Sequence, residues 1–225
     1  MTAVAAAQTV APSAPAAPAL PAESALARVI RRPAPADPDH DAERCDVCAA
    51  DVPPVHRHLL DAHSGEIQCA CRACAVLFER DAEGAAQAHF HLVPTRRRRL
   101  RVGSAEEVAQ LGLPVGLAFI VIQPDGAPLA HYPSPAGATR WELDPEVWQR
   151  VAQQCPALAD LEPQVQALLL HTARGNDEHW IVPIDDCYRL VAVIRREWRG
   201  LSGGSTVWPA IADFFTRLDE RSDHG

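Results

Sequence analysis

Five of the seven cysteines lie between Cys45 and Cys74 and form two clusters, Cys45–Cys48 and Cys69–Cys74. Each CxxC pair forms a turn that directs two thiolates at one point. Two such turns on adjacent hairpins complete a tetrahedral site with metal–sulfur distances of about 2.3 Å. We therefore predict that Cys45, Cys48, Cys71 and Cys74 bind one metal ion in a zinc-ribbon or rubredoxin-like knuckle module. Free or redox-active thiols are the alternative interpretation.

The other side chains in this stretch leave the ligand set open. Cys69 either replaces Cys71 as a ligand or stands unligated on the strand that enters the second pair. His56, His58 and His63 lie between the clusters, and any of them replaces a cysteine that is not used. We expect all three histidines to be solvent-exposed in a loop, and Cys69 to be unligated.

Zinc and a single iron are both compatible with four thiolates. Rubredoxins favour Gly after the second Cys of each pair, whereas this chain has Ala49 and Ala75. Aromatic shielding is also sparse, with Phe78 and Phe90 in the module. These features favour one zinc ion per chain and a colourless protein, with one iron in the same site as the alternative.

The overall composition excludes several classes of protein. The chain has 225 residues and a formal net charge of -8, which argues against a nucleic-acid-binding protein. Clustered cysteines in an odd total indicate metal binding in a reducing compartment rather than a disulfide framework. The sequence has neither a membrane-spanning apolar run nor a convincing secretory signal, so a cytoplasmic protein without membrane insertion is expected.

The composition changes twice along the chain. Residues 1–40 are rich in Ala and Pro and are predicted to be a disordered arm, because this composition cannot build a core. Residues 41–101 form the predicted cysteine-rich metal-binding module, and residues 102–225 have the composition of an α+β domain. The predicted fold class is therefore α+β.

Strand and turn patterns dominate the first half of that domain. Residues 117–121 and 128–132 are predicted strands, joined by a turn at 123–126, and 133–137 is predicted to be a loop. In the module, residues 65–68 and 89–93 are strand-like. Two further predictions are a short strand at 180–183 and an element at 164–170 that is ambiguous between helix and strand.

Helical patterns follow. Asp144 and Pro145 open a helix that ends near Gln154. A second begins at Asp185, and Asp185 and Asp186 are interpreted as suited to its N-terminus by capping and by the helix dipole. Its apolar face consists of Cys187, Leu190, Val191, Ile194 and Trp198. A last helix begins near Ser205 or Thr206, and its predicted buried stripe is Val207, Ile211, Phe214, Phe215 and Leu218.

The remaining reactive or charged residues have simpler interpretations. Cys155 and Cys187 are expected to have structural roles. The basic run 96–101 is interpreted as a solvated linker or an intramolecular partner for acidic residues, with phosphate or protein binding as the alternative. The sequence has no P-loop, GxGxxG, GxSxG or HExxH motif, and no catalytic residue is predicted.

Three phrases, at 132–139, 178–191 and 198–204, together with the cysteine clusters, resemble an uncharacterised protein family. Members of that family, a domain of unknown function, are encoded beside actinobacterial-type high-affinity NiFe-hydrogenases. The resemblance extends over roughly Arg44 to Phe215. It implies an accessory, maturation or electron-transfer role next to a hydrogenase, and it carries over no catalytic residue.

Together these features predict a non-catalytic, metal-binding accessory protein for maturation or assembly of a NiFe-hydrogenase. Its expected partner is a hydrogenase subunit or maturation factor. The first alternative is a rubredoxin-like electron carrier with one iron. A weaker alternative is a zinc-ribbon nucleic-acid binder that uses the arginine run, although the net charge makes nucleic acid an unlikely partner.

Overall fold

The computed structural model describes residues 43–79, 89–113 and 115–224, all within one compact unit, Ala42–Gly225. The predicted disordered arm, residues 1–40, lies outside the described residues. Helices and strands are mixed along the unit, and the predicted α+β class is confirmed. None of the helices in the described part of the chain has both the length and the apolar character needed to cross a membrane.

The cysteine clusters flank a small antiparallel sheet with the strand order β2-β1-β3. Its strands are β1 (Arg57–Asp61), β2 (Ile67–Ala70) and β3 (Phe90–Leu92), and helix α1 (Arg72–Glu79) follows β2. The strand-like patterns at 65–68 and 89–93 correspond to β2 and β3, whereas β1 was not predicted.

A seven-stranded sheet forms the centre of the remaining chain, in the order β10-β4-β9-β8-β5-β6-β7. Only the β10–β4 pair is parallel among these strand pairs. The strands are β4 (Arg98–Leu100), β5 (Leu117–Ile122), β6 (Pro128–Ser134), β7 (Gly137–Glu142), β8 (Gln166–His171), β9 (Glu178–Pro183) and β10 (Asp223–His224).

Helices cover both faces of this sheet. They are α2 (Ala105–Gln110), α3 (Pro145–Gln154), α4 (Ile184–Glu197) and α5 (Val207–Asp219). The predicted start of α3 is confirmed, because the Glu146 backbone N–H donates to Asp144 Oδ1 at 2.8 Å and Pro145 is the first helical residue. The predicted buried stripe of α5 is also confirmed.

Side chains of the central strands alternate between two hydrophobic clusters, as the two-residue period of a strand requires. In β8, Leu169 packs with α4 and α5, while Leu168 and Leu170 pack with α2 and α3. Leu60 of β1 and Val93 after β3 belong to the α4–α5 cluster. The small sheet and the large sheet therefore share a core.

Residues 133–137 differ from the predicted loop. β6 continues to Ser134, and a tight turn leads directly into β7, which begins at Gly137 with φ +124°. No side chain of β7 is fully buried, so the strand needs no alternating apolar residues. Its sequence therefore lacks the pattern by which strands are recognised. The ambiguous element at 164–170 is a strand, β8, whose residues from Ala167 onward are all buried.

The arginine run binds carboxylates of the same chain. Arg99 bonds Asp219 at 2.7 Å and Glu178 at 3.2 Å, and Arg96 lies 3.3 Å from Asp223. The interpretation of the run as an intramolecular partner is confirmed. β4, which carries part of the run, is a strand of the large sheet although it lies within the predicted module 41–101.

Asp185 and Asp186 both lie in the first turn of α4, as the helix-dipole interpretation expects, but the interpretation of them as capping residues is wrong. The N-cap of α4 is Pro183, without a side-chain cap bond. Asp185 contacts His58 instead, and the fully buried Asp186 binds Arg97 and Arg189. These are contacts with distant parts of the chain and with the next helical turn, which a local capping pattern does not reveal.

Candidate metal centre

The first cysteine pair lies on a tight backbone loop. The Ala49 N–H donates to the Cys45 carbonyl at 2.7 Å, and the Cys45 N–H donates to the Ala50 carbonyl at 2.8 Å. Ala49 adopts the left-handed conformation with φ +60°, at the position where rubredoxins favour Gly. The loop is therefore closed by its own backbone and directs Cys45 and Cys48 to one side.

The second pair lies at the start of a helix and not on the expected hairpin. Cys71 immediately precedes α1, and Cys74 is buried in its first turn. The Cys74 N–H points at Cys71 Sγ from 3.4 Å. After Cys74 the chain continues Ala-Val-Leu-Phe-Glu, which contains no turn residue, so the pair leads into a helix.

β2 connects the two pairs. The Asp46 N–H donates to the Cys69 carbonyl at 2.9 Å, and the Cys69 N–H donates to Asp46 Oδ2 at 2.6 Å. These two hydrogen bonds hold the first loop against the end of β2, from which α1 begins. Backbone contacts thus place both cysteine pairs on one side of the small sheet.

The thiols of Cys45, Cys48, Cys71 and Cys74 converge, with all four Sγ atoms within 4.8 Å of one another. Cys48 Sγ and Cys71 Sγ are 3.7 Å apart. Sulfur atoms in a tetrahedral zinc site with bonds of about 2.3 Å are separated by about 3.8 Å, so this pair already has the required spacing. The group could hold a metal ion such as zinc or iron.

Electrostatics at the four thiols also favours a cation. Burial raises the pKa of Cys45, but backbone N–H groups, foremost those of Cys71 and Cys48, outweigh burial and lower it to about 6. Hydrogen bonding with Cys48 and Cys71, together with burial, raises the pKa of Cys74 to about 12. At neutral pH Cys74 can therefore be a thiolate only with a positive charge beside it.

Cys69 does not join this group. Its thiol lies with His56 and His58, and the potential ligand atoms of these three side chains are within 4.8 Å of one another. Burial, with added repulsion from the carboxylates of Glu43 and Asp46, holds the pKa of Cys69 above its ordinary value. The four-cysteine group and the His-His-Cys group are thus separate sets of potential ligands.

The expectation that all three histidines are exposed in a loop is wrong for two of them. The His56 side chain is 4% exposed and the His58 side chain 13% exposed, with His58 in β1. Only His63 is exposed as expected. The missed signal is the spacing His-x-His, which places two side chains on one face of a strand.

Cys155 and Cys187 are buried, as expected for structural residues. Cys187 lies on the apolar face of α4, where burial raises its pKa well above the usual value. It is therefore a neutral thiol that packs as a small hydrophobic side chain. Neither residue belongs to a group of potential metal ligands in the described part of the chain.

A family model matches residues 44–222, which include both cysteine clusters and both sheets. The chain belongs to the family of unknown function DUF5947. The prediction that it is a member of an uncharacterised family is thereby confirmed. No curated protein and no solved structure matches the chain.

Proposed function

We propose that this DUF5947 member is a cytoplasmic, non-catalytic accessory protein in which one zinc ion at Cys45, Cys48, Cys71 and Cys74 orders a protein-binding surface. Convergence of the four thiols is the observation that carries the proposal. Four thiolates complete a tetrahedral shell and leave no position for a substrate, which is the pattern of structural zinc.

The need for a metal is greatest in the N-terminal part of the unit. Its own small hydrophobic clusters contain few buried side chains, such as Leu59, Ala70 and Ala75. A core of this size contributes little folding free energy, whereas a structural zinc site contributes a large amount. Zinc therefore accounts for an ordered module where apolar burial is limited.

Exposed apolar side chains near the cysteines support a protein partner. Val47 in the first loop is 45% exposed, and Val76 and Leu77 in α1 are 44% and 66% exposed. Apolar side chains held in place by a rigid metal centre are suited to contact with another protein.

The proposed partner is a NiFe-hydrogenase subunit or maturation factor. The resemblance of the cysteine clusters and the phrases at 132–139, 178–191 and 198–204 to proteins encoded beside such hydrogenases supports this assignment. A role in maturation or assembly also fits a metal centre that is closed to substrates.

Elemental analysis and a visible spectrum of protein from iron-replete cells test the metal. We expect a colourless protein with zinc at the four-cysteine site, and loss of that zinc in Cys45→Ser. Zinc has a filled d shell and does not absorb visible light. One iron per chain, with a colour that bleaches on reduction, would overturn the zinc assignment.

Co-purification from native extracts tests the partner. We expect a hydrogenase subunit or maturation factor to be recovered with the wild type and lost with Leu77→Glu. The matched control is Leu201→Glu, which places the same charge at a fully exposed leucine in the loop after α4. Normal hydrogen uptake in a strain that lacks the protein would contradict the hydrogenase assignment.

A rubredoxin-like electron carrier is the second candidate, and two observations favour it. Cys48 is exposed, so one ligand of the centre reaches the surface, where electrons are exchanged. Ala49 has the left-handed backbone that rubredoxins achieve with Gly. The metal analysis distinguishes the candidates, because only iron gives a reversible change of oxidation state there.

A further inference from the structure

The small sheet brings His56, His58 and Cys69 together by register. His58 and Cys69 are directly opposite each other in the β1–β2 pair. His56 lies two residues before His58, and alternation along an extended chain places it on the same side. The His56 and His58 rings are 4.6 Å apart between centroids, and potential ligand atoms of all three side chains lie within 4.8 Å of one another.

Hydrogen bonds at Nδ1 leave the same nitrogen of both rings free. His56 Nδ1 donates to the Pro53 carbonyl at 2.8 Å, because a carbonyl oxygen only accepts. His58 Nδ1 lies 3.0 Å from the Asp185 carboxylate and donates to it. The lone pair of a neutral imidazole is then on Nε2 in each ring.

His56 Nε2 is buried and has no hydrogen-bond partner among the residues that the structure describes. The His56 side chain is 4% exposed, so water has little access to it. A buried polar atom without a partner is costly, and such atoms in folded proteins usually have a ligand, ion or water. A metal ion bound at Nε2 would satisfy this atom.

Acidic groups surround the three side chains. Asp185 Oδ2 accepts from His58, and Glu43 Oε2 is 3.6 Å from His56 Nδ1. A carboxylate hydrogen-bonded to the far nitrogen of a histidine fixes the ring and makes it a better metal ligand. Asp185 lies in the first turn of α4, so a helix that packs on the large sheet supplies this support to a site on the small sheet.

We propose that His56, His58 and Cys69 bind a second metal ion, separate from the four-cysteine centre. Two imidazole nitrogens and one thiolate form a donor set for Zn²⁺, and a tetrahedral ion with three protein ligands keeps its fourth position open. His56 and His58 line an open cleft of about 1020 Å³, so solvent and small anions reach the edge of the site. The fourth ligand is water or a small anion taken from the cleft.

The test is an anaerobic Co²⁺ titration of full-length protein after metal removal under reducing conditions. The wild type binds two equivalents. The second equivalent shows weaker thiolate charge-transfer absorption than the first, because it has one thiolate ligand and not four. Added azide shifts the bands of this second ion only, since only its coordination shell has an exchangeable position.

Variants assign the second equivalent to its residues. His56→Gln and Cys69→Ser each lose it and keep the first equivalent. Asp185→Asn still binds two equivalents, but its affinity for the second is roughly 10- to 100-fold lower. The matched control, His63→Gln at an exposed histidine of the same segment, binds both equivalents as the wild type does.

A single equivalent in the folded wild type, or a second equivalent that survives both His56→Gln and Cys69→Ser, overturns the proposal. If azide does not shift the absorption bands of the second ion, the proposed open coordination position is wrong. Circular dichroism of each variant distinguishes loss of a ligand from loss of the fold. The azide result needs no variant and tests the site even where a substitution unfolds the module.

Discussion

Arg97 donates a hydrogen bond to the carboxylate of Asp186, which is fully buried in the first turn of α4. The two residues are far apart in the chain, and the bond joins the segment before β4 to the helix that covers the large sheet. Arg189 also donates to this carboxylate, at 3.0 Å. The arginine run therefore contributes to the fold through a buried charge pair.

Removal of the Arg97 charge should be strongly destabilising. Arg97→Met leaves the buried Asp186 carboxylate paired mainly with Arg189. Because that partner remains, we expect a loss of about 3 kcal/mol in the free energy of unfolding, at the lower end for a broken buried ion pair. Arg96→Met is the matched control, since Arg96 is 72% exposed and pairs with an exposed Asp223. It should cost about 0–1 kcal/mol. Equal urea midpoints for the two variants would contradict the assignment.

Loss of one ligand should disorder the module before the large sheet. In Cys45→Ser we expect loss of the ion and rapid tryptic cleavage at Arg57 and Arg72, because the small hydrophobic clusters there cannot hold the module alone. Limited proteolysis with mass spectrometry locates the cuts. Tryptophan fluorescence follows the large sheet, because all five tryptophans lie between residues 141 and 208. Its transition should remain cooperative at a lower midpoint, since Leu60 and Val93 contribute to its core.

The control for this prediction is Val47→Ala. It changes an exposed side chain inside the same loop and leaves all four thiols in place. Its metal content and cleavage pattern should match the wild type. Unchanged protection of the module in Cys45→Ser would show that the metal is not needed for its fold.

Replacement of Ala49 by glycine should stabilise the protein. Its φ of +60° carries the steric cost of the left-handed region, which Gly avoids. Glycine removes this steric cost but also increases the conformational entropy of the unfolded chain, which opposes folding. The net effect of Ala49→Gly should be a stabilisation of about 0.5 kcal/mol. Ala50→Gly, next to it but without a positive φ, should destabilise by about 0.5–1 kcal/mol. Urea denaturation of the zinc-loaded proteins measures both, and the same sign for both would contradict the argument.

Stability should fall as the pH decreases from neutral, because buried histidines resist protonation. Burial lowers the pKa of His131, His171 and His179 in the folded protein. The unfolded chain, with histidine pKa values near about 6.5, then binds more protons than the folded one as the pH falls through that value. The stability that these neutral side chains provide is present above about pH 6.5 and is lost as the pH falls through the lower folded-state pKa values.

Urea midpoints between neutral and mildly acidic pH measure this loss. His131→Gln should reduce the pH dependence, since His131 is half-buried, stacks on Phe119 and lies near Arg140. His63→Gln, at an exposed histidine, should leave the dependence unchanged. A steeper dependence in His131→Gln than in the wild type would contradict the assignment to buried neutral histidine.

The sequence alone determined the features that depend on local spacing. The two CxxC pairs, the hairpin at 123–126 and the start of α3 at Asp144 and Pro145 were predicted from a few neighbouring residues each. The apolar stripe of α5 was predicted for the same reason, because helical periodicity acts within a few turns. These signals do not require knowledge of what packs against the element.

The tertiary structure alone decided which distant groups meet. Nothing in the local pattern around Asp185 and Asp186 shows that one contacts His58 and the other Arg97, and capping was the wrong interpretation for both. Cys69 lies among the cysteines in sequence, yet strand register places its thiol with two histidines. Charge pairing and ligand convergence depend on how the strands pair and how the helices pack on them, and those are set by the shared core and not by sequence distance.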